Sequence, residues 1–344
     1  MDASHYLQFA VMIRYFQLVP EQQRDVLAET QNQLGLPALF LEKDYWVCRV
    51  LDMLFENQAL EPHLCFRGGT SLSKAFHCIQ RFSEDIDIAL SPAFFSDMPR
   101  ELLPVPGESS SQRDRKQRKM REYYRNLMCD FILPALQQSF DCRGISGVRF
   151  ELEDISKARD PFVLFIHYPS VLEHDAGSYV APAVKLELSG RAETTPSSPA
   201  EIDSYIAQVF PELAEPVSLQ VVSPKRTFWE KAFILHEENV RGGPSKPRLA
   251  RHYYDLDALI RNGMYDNSLF EQIKQQRAVN YGYSWIDYEH LGPSDMNILP
   301  PDDHSYQSWA RDYIQMKPML FGEIEEFTAI VQRIRNFVES EFSK

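Results

Sequence analysis

The chain has little positive charge for its length. Lysine and arginine together number 36 in 344 residues, against 49 aspartates and glutamates, and the formal net charge is −13. Broad, sequence-blind adhesion to nucleic acid needs a basic surface, so this class of protein is excluded. Any nucleic-acid partner must therefore bind a local basic patch.

Cysteine and long apolar segments are also scarce. The five cysteines are scattered, odd in number and without metal-ligand spacing, which predicts free thiols in a reducing cytoplasm. Apolar runs such as residues 162–166 are too short to cross a bilayer. Residues 1–5 lack the basic start of a signal peptide. We therefore expect a cytoplasmic protein with no membrane partner.

The most informative stretch covers residues 63–90. An extended apolar segment at 64–66 precedes Gly68 and Gly69, and the small residues 70–74 that follow can open a helix. Glycine lets a ligand approach the main chain, and free N–H groups at a helix start face an anion, so the pattern predicts a phosphate cradle. An ordinary tight turn is the alternative, and the Walker lysine–hydroxyl pair that marks a P-loop is absent.

Two acidic residues follow this turn at a spacing of two. In a strand, Asp85 and Asp87 project to one face while Ile86 and Ile88 face the core. Two convergent carboxylates are what an oxygen-seeking cation such as Mg²⁺ needs. Taken alone, the pair is also typical of a solvated strand edge. Combined with the glycine turn, it indicates nucleotide chemistry.

The compound motif GGTSLSK followed by RFSEDIDI closely resembles that of the AbiEii/AbiGii toxin family. This family is a branch of the DNA polymerase beta-like nucleotidyltransferase superfamily. The resemblance implies an α/β (α+β) fold: a mixed-sheet nucleotidyltransferase lobe with N-terminal helices and a C-terminal helical lobe. It also implies the toxin half of a toxin–antitoxin pair, with Mg²⁺ as cofactor. Such an enzyme transfers a nucleotide from an NTP to an RNA such as tRNA, or to a protein, and is restrained by a cognate antitoxin.

Three later segments resemble further motifs of this family. They are the KLEL segment with Lys185 and Glu187, the helix pair Glu230-Lys231, and an Arg followed by Tyr-Asp around Arg251 and Asp255. The resemblance assigns catalysis and metal binding to Asp85, Asp87 and Glu187. It assigns nucleotide binding to Gly68, Gly69, Thr70, Ser71, Lys74, Lys185, Lys231, Arg251 and Asp255. Asp255 is expected to orient a base such as Lys231, although a plain Arg251–Asp255 helix salt bridge stays open.

A basic run, Arg113 to Arg125, stands out in this acidic chain. It contains Arg113, Arg115, Lys116, Arg118, Lys119, Arg121 and Arg125. One hypothesis is that the run contacts an RNA backbone while Tyr123 and Tyr124 stack on a base. A solvated helix exterior is an equally good interpretation.

The chain divides by composition into three parts. We predict an N-terminal helical segment at 1–60, a nucleotidyltransferase domain at 61–215 and a mainly helical domain at 216–344 that completes the cleft. The proline-rich residues 190–216 are expected to form a loop between lobes. Thr227 is predicted to cap the next helix.

Two further possibilities remain at this point. Lys43 and Asp44 fit a solvated helix face, although their segment also resembles the family and could line the nucleotide pocket. The same site could support a kinase-like phosphotransferase, or a nucleotide-binding regulator without turnover.

Overall fold

The described strands all lie between residues 64 and 222, with helices before, among and after them. The computed structural model describes residues 14–83, 85–102, 105, 108–153, 162–174 and 181–342, without the side chains of residues 110, 113, 117 and 121. The strands are β1 Leu64–Arg67, β2 Asp85–Leu90, β3 Arg149–Leu152, β4 Phe162–His167, β5 Ala183–Ser189, β6 Ser197–Ile202 and β7 Val217–Val222. The helices are α1 Pro20–Leu34, α2 Ala38–Phe55, α3 Gly68–Lys74, α4 Ser110–Leu127, α5 Leu133–Cys142, α6 Tyr205–Val209, α7 Pro224–Val240, α8 Arg251–Arg261, α9 Phe270–Asn280, α10 Asp303–Met316 and α11 Phe327–Glu341.

The strands form one mixed sheet in the order β3-β4-β5-β2-β1-β7-β6. β2 lies between β1, which is antiparallel to it, and β5, which is parallel to it. β1 is also parallel to β7, and the remaining neighbours are antiparallel. This order brings the acidic strand β2 beside β5, so the DIDI and KLEL segments become neighbours. The predicted mixed α/β architecture is confirmed.

α1 and α2 lie within the helical segment predicted at residues 1–60. Proline at the first position of α1 suits a helix start, because its missing N–H needs no partner there. The helix ends at Gly35, which has a left-handed φ of 69°. α2 is buried along almost its whole length, including Lys43 and Asp44, so the solvated face predicted for these two residues is wrong. Residues 1–13 of the predicted N-terminal segment lie outside the described residues.

Two hydrophobic cores divide the molecule. The first joins α1, α2 and the sheet, and the second joins α7 to α11. Leu72, Cys78 and Ile79, which belong to α3 and the segment after it, pack into the second core. The segment between β1 and β2 therefore contacts both parts of the protein. Within the described ranges, no helix is long and apolar enough to cross a membrane.

The loop predicted at residues 190–216 is not a loop. It contains β6 and α6, and β7 follows directly. β6 is an edge strand, where Pro199 is tolerated because one side needs no ladder hydrogen bonds. β7 extends the sheet beyond residue 215, while the division into domains stays a prediction. Ser223, rather than Thr227, caps α7, since its side chain accepts a hydrogen bond from the N–H of Lys225.

Candidate active site

The junction between β1 and β2 brings Gly68 against Asp87. Arg67 is aligned with Asp87 across the antiparallel pair, and Gly68 follows with a φ of +79°. A Cβ atom built on Gly68 would lie 2.1 Å from Oδ2 of Asp87. Only glycine fits both the backbone angle and the close carboxylate. The glycine of the motif therefore gives room to the acid that follows it in the chain.

The start of α3 is tied to the segment that leads into β2. Thr70 Oγ1 donates to the carbonyl of Asp85 and lies 2.9 Å from the hydroxyl of Ser83. Ser71 is fully buried, and its hydroxyl donates to the carbonyl of Gly68 at 2.9 Å. A Cβ on Gly69 would lie 2.2 Å from a guanidinium nitrogen of Arg81. The predicted phosphate-cradle residues thus hold the turn together, and their contact with phosphate stays a prediction.

β5 brings a third carboxylate into register with the first two. Asp87 is aligned with Glu187, and Asp85 is aligned with Lys185, in the parallel pair of strands. The ammonium of Lys185 donates to the carboxylate of Glu187. No three His, Cys, Asp or Glu side chains in the described part of the chain are gathered as a ready metal site. The predicted acids share one sheet face without being preassembled.

Asp87 lies in an environment that disfavours its charge. Burial raises its pKa to about 7, and the neighbouring charges of Glu187 and Asp85 raise it as well. Arg67 and Arg251 act in the opposite direction. The three acids are thus close enough to repel one another. Clustered acids whose ionisation is perturbed by burial are typical of functional sites.

A charge triad connects α7, α8 and the segment that precedes β2. Asp255 is fully buried and accepts two hydrogen bonds from Arg81, at 2.7 and 2.9 Å. Its second oxygen lies 2.7 Å from the ammonium of Lys231. Burial alone would raise the pKa of Asp255, but Arg81 and Lys231 outweigh it and hold that pKa well below its usual range. The expected pairing of Asp255 with Lys231 is present, and the role of this pair in nucleotide binding stays a prediction.

The alternative Arg251–Asp255 salt bridge does not form. The Arg251 guanidinium makes no ion pair or hydrogen bond with the described part of the chain, although α8 begins at this residue. Asp255 is occupied by Arg81 and Lys231 instead. Arg251 nevertheless lies close enough to Asp87 to lower its pKa. Its charge remains available to a ligand beside the acids.

Comparisons with known proteins agree with this geometry. Residues 49–337 match the family described as "Nucleotidyl transferase AbiEii toxin, Type IV TA system", which is most of the chain and includes every candidate site residue. The chain belongs to the AbiEii family of nucleotidyltransferase toxins. The resemblance predicted from the motifs is therefore confirmed, and the protein is a nucleotidyltransferase. A search of curated proteins gives no match.

A solved structure supports the fold of this AbiEii-family enzyme. MenT4, a nucleotidyltransferase toxin from Mycobacterium tuberculosis H37Rv, superposes with a TM-score of 0.50 at 16% sequence identity. The match covers 91% of this chain and 89% of MenT4. At this level of identity, the similarity establishes the shared architecture and leaves the substrate open.

Lys74 lies apart from the acids in this AbiEii-family site. It is buried, pairs with Asp44 of α2, and donates to the carbonyl of Asp203 at 3.0 Å. Its ammonium also stands 4.0 Å from the ring centre of Tyr205. These partners satisfy its charge, so the predicted contact of Lys74 with phosphate finds no support here. Asp44, in turn, anchors α2 to α3.

The predicted stacking of Tyr124 on a base is also unsupported. Tyr124 is buried and packs on Phe95 and Phe162, with ring centres 4.9 and 5.1 Å away. Among the basic residues of α4, Lys116 pairs with Glu108. Other described side chains of the run are exposed, namely Arg115, Arg118, Lys119 and Arg125. Arg113 and Arg121 have side chains outside the described set.

Three arginines of the site had no predicted role. Arg67 donates to Glu230 at 2.5 Å, and Arg226 donates to the same carboxylate at 3.0 Å. Arg81 donates to Asp255 and belongs to a segment that pairs with the C-terminal part of the chain through a bridge to Leu320. The partners of Arg67 and Arg81 lie more than a hundred residues away and leave no local pattern. The local signal was only that Arg67 precedes the glycine motif and Arg81 begins the RFSEDIDI segment.

Proposed function

We propose that this AbiEii-family enzyme transfers a nucleotidyl group from an NTP to an RNA acceptor, such as a tRNA, with Mg²⁺ bound by Asp85, Asp87 and Glu187. The observation that carries the proposal is the parallel register of β2 and β5, which aligns Asp87 with Glu187 and Asp85 with Lys185. A cognate antitoxin is the expected partner in a type IV system, and the cytoplasm is the expected compartment.

The residues fit a divalent cation. All three candidate ligands are carboxylates, the donors that Mg²⁺ prefers. Gly68 leaves space at Oδ2 of Asp87 that a side chain would fill. When bound, Mg²⁺ would offset the repulsion among the acids and supply positive charge to the triphosphate. Glu187 would exchange Lys185 for the cation, and Lys185 would then be free to contact phosphate.

The basic groups of the cleft are suited to the rest of the nucleotide. Lys231 is a compact point charge that pairs with Asp255, and Arg251 presents near Asp87 a guanidinium that has no ion-pair partner among the described residues. We assign these two cations to the phosphates. The acceptor hydroxyl gives up its proton to solvent and its oxygen attacks the α-phosphorus, which forms the new phosphodiester bond. The bond between the α-phosphorus and the bridging oxygen to the β-phosphate breaks, and pyrophosphate leaves with its electron pair.

The deciding experiment is label transfer. Purified protein is incubated with Mg²⁺, total RNA and NTPs labelled at the α or γ position. We expect label on RNA from the α position only, and we expect Asp87→Asn to abolish it because that change removes a ligand charge at constant shape. Glu201→Gln, on the edge strand β6, is the matched control and retains activity.

Three results would contradict the proposal. Transfer from the γ position would establish phosphoryl transfer instead. Binding of NTP without transfer of either label would establish a regulator without turnover. Label on a protein rather than on RNA would overturn the choice of acceptor while leaving the chemistry in place.

A further inference from the structure

Three aromatic side chains follow α9 at alternate positions and stack on one another. The ring centres of Tyr281 and Tyr283 lie 5.9 Å apart, and those of Tyr283 and Trp285 lie 4.6 Å apart with an interplanar angle of 18°. The outer members are unusually open, since Tyr281 is 43% exposed and Trp285 is 44% exposed. We call these three residues the aromatic ladder. Large aromatic rings with open edges mark a surface that contacts something else.

An arginine covers each end of the aromatic ladder. Arg277 lies 4.7 Å from the ring centre of Tyr281 and is fixed by two hydrogen bonds to Glu237. Arg241 lies 5.3 Å from the ring centre of Trp285. Its side chain is exposed and makes no hydrogen bond or ion pair with the residues that the structure describes. Arg241 can therefore swing away from the indole and close again over a planar ligand.

The inner end of the aromatic ladder lies beside Arg67, a neighbour of the candidate active site. Tyr281, Arg67 and Glu230 line one small cavity, and Arg67 is the residue aligned with Asp87. At the outer end, a cavity of about 240 Å³ opens beside Trp285. Its lining includes the apolar side chains of Val240 and Leu291. The ladder thus runs from the cavity beside Arg67 to an open pocket on the surface.

We propose that the aromatic ladder binds the single-stranded end of the RNA acceptor, with one base held between Trp285 and Arg241. This inference rests on the proposed transfer to RNA. Every base has a stacking face, and stacking on aromatic rings does not require a basic surface. A net charge of −13 limits binding through phosphates, so affinity from stacking suits this chain. A strand following the rings inward would present its terminal hydroxyl towards Asp87.

Tryptophan fluorescence provides a direct test. The chain has four tryptophans, and Trp46, Trp229 and Trp309 are at most 3% exposed, so a base that stacks on Trp285 quenches the one accessible indole. Titration with a short unstructured RNA of mixed sequence is expected to quench it, whereas a blunt RNA duplex is not. The same RNA carrying a fluorescent label is then used in anisotropy titrations, which compare the RNA affinities of the variants.

We expect Trp285→Ala to weaken binding of that RNA between about 5-fold and about 100-fold, the range for one base stack. Trp285→Phe retains most of the affinity because it retains a ring, and Arg241→Ala loses an intermediate amount. Phe131→Ala removes another exposed ring, 39% exposed, and leaves binding unchanged. Because these side chains are exposed, their replacement should leave the fold intact and weaken RNA binding only through the lost contact. Circular dichroism of each variant checks that the fold is retained.

The outcomes separate this inference from the proposed function. Equal affinity of wild type and Trp285→Ala, or no quenching by single-stranded RNA, overturns the aromatic ladder even if α-label still reaches RNA. Quenching of the wild type by single-stranded RNA, together with weaker binding of that RNA to Trp285→Ala in the anisotropy titration, supports it. The Asp87→Asn variant should show the same quenching and bind RNA without transferring a nucleotide. If the wild-type protein transfers no label to RNA although single-stranded RNA quenches its fluorescence, the proposed function is refuted and the aromatic ladder is not.

Discussion

Replacing Gly68 by alanine should displace the carboxylate of Asp87. The new Cβ would stand 2.1 Å from Oδ2, whereas ordinary contact begins at 3.4 Å, so the carboxylate must retreat by about 1.3 Å. A misplacement of about 1 Å in a reacting group can reduce the rate about 100-fold. That loss corresponds to about 2.7 kcal/mol of transition-state stabilisation. The positive φ of +79° adds a backbone cost of about 1–2 kcal/mol to the folded state.

Gly35→Ala separates the two effects. Gly35 has a similar φ of +69°, and nothing lies within 4 Å of a Cβ built there. Both variants should lose about 1–2 kcal/mol of unfolding free energy in urea titrations. Only Gly68→Ala should lose nucleotidyl transfer, measured with α-labelled NTP at matched concentrations of folded protein. Equal activity of the two variants would refute the placement of Asp87 at the reacting centre.

The same structure predicts three further responses. Asp255→Asn should cost about 3–5 kcal/mol of unfolding free energy, because two buried cations lose their shared carboxylate. Since the pKa of Asp255 is depressed in the folded state, its stabilisation is complete above about pH 4 and falls at lower pH. Urea titrations should therefore show a weaker acid dependence of stability in the variant than in the wild type. Lys74→Met should lower the free energy of unfolding by about 3–5 kcal/mol, because Asp44 stays buried without its partner, and should leave the Michaelis constant for NTP unchanged. A raised Michaelis constant at normal stability would instead show that Lys74 contacts phosphate. Arg115→Glu combined with Lys119→Glu should weaken RNA binding and reduce its salt dependence without altering the urea midpoint, and unchanged binding would show that α4 is only a solvated face.

Local patterns were sufficient for the elements that bear the acids. Alternation in the DIDI and KLEL segments predicted strands, and β2 and β5 are confirmed as neighbours. Pro20 and Gly35 stand at the two ends of α1, where local conformational preference places them. These signals lie within a few residues of the structure they specify. The same is true of α8, which opens at Arg251 as the motif indicated.

Partners distant in sequence could not be predicted in this way. Charged residues of α2 resembled a solvated face, yet Asp44 is buried because Lys74 arrives from another helix to neutralise it. β6 contains Pro199 and two serines, which favour a loop until the rest of the sheet supplies β7 as a neighbour. Tyr124 was predicted to be free for a base, but Phe95 and Phe162 enclose it. In each case tertiary contacts overrode a local preference.

The bridge between Arg81 and Leu320 has a consequence for the order in which the enzyme is made. Phe82 donates its N–H to the carbonyl of Met319 at 2.7 Å, so the segment entering β2 is held by residues that are synthesised much later than the acids. A nascent chain therefore carries its acids long before it carries this support. A chain interrupted ahead of residue 319 would contain all three acids and lack the contact that holds the segment before β2.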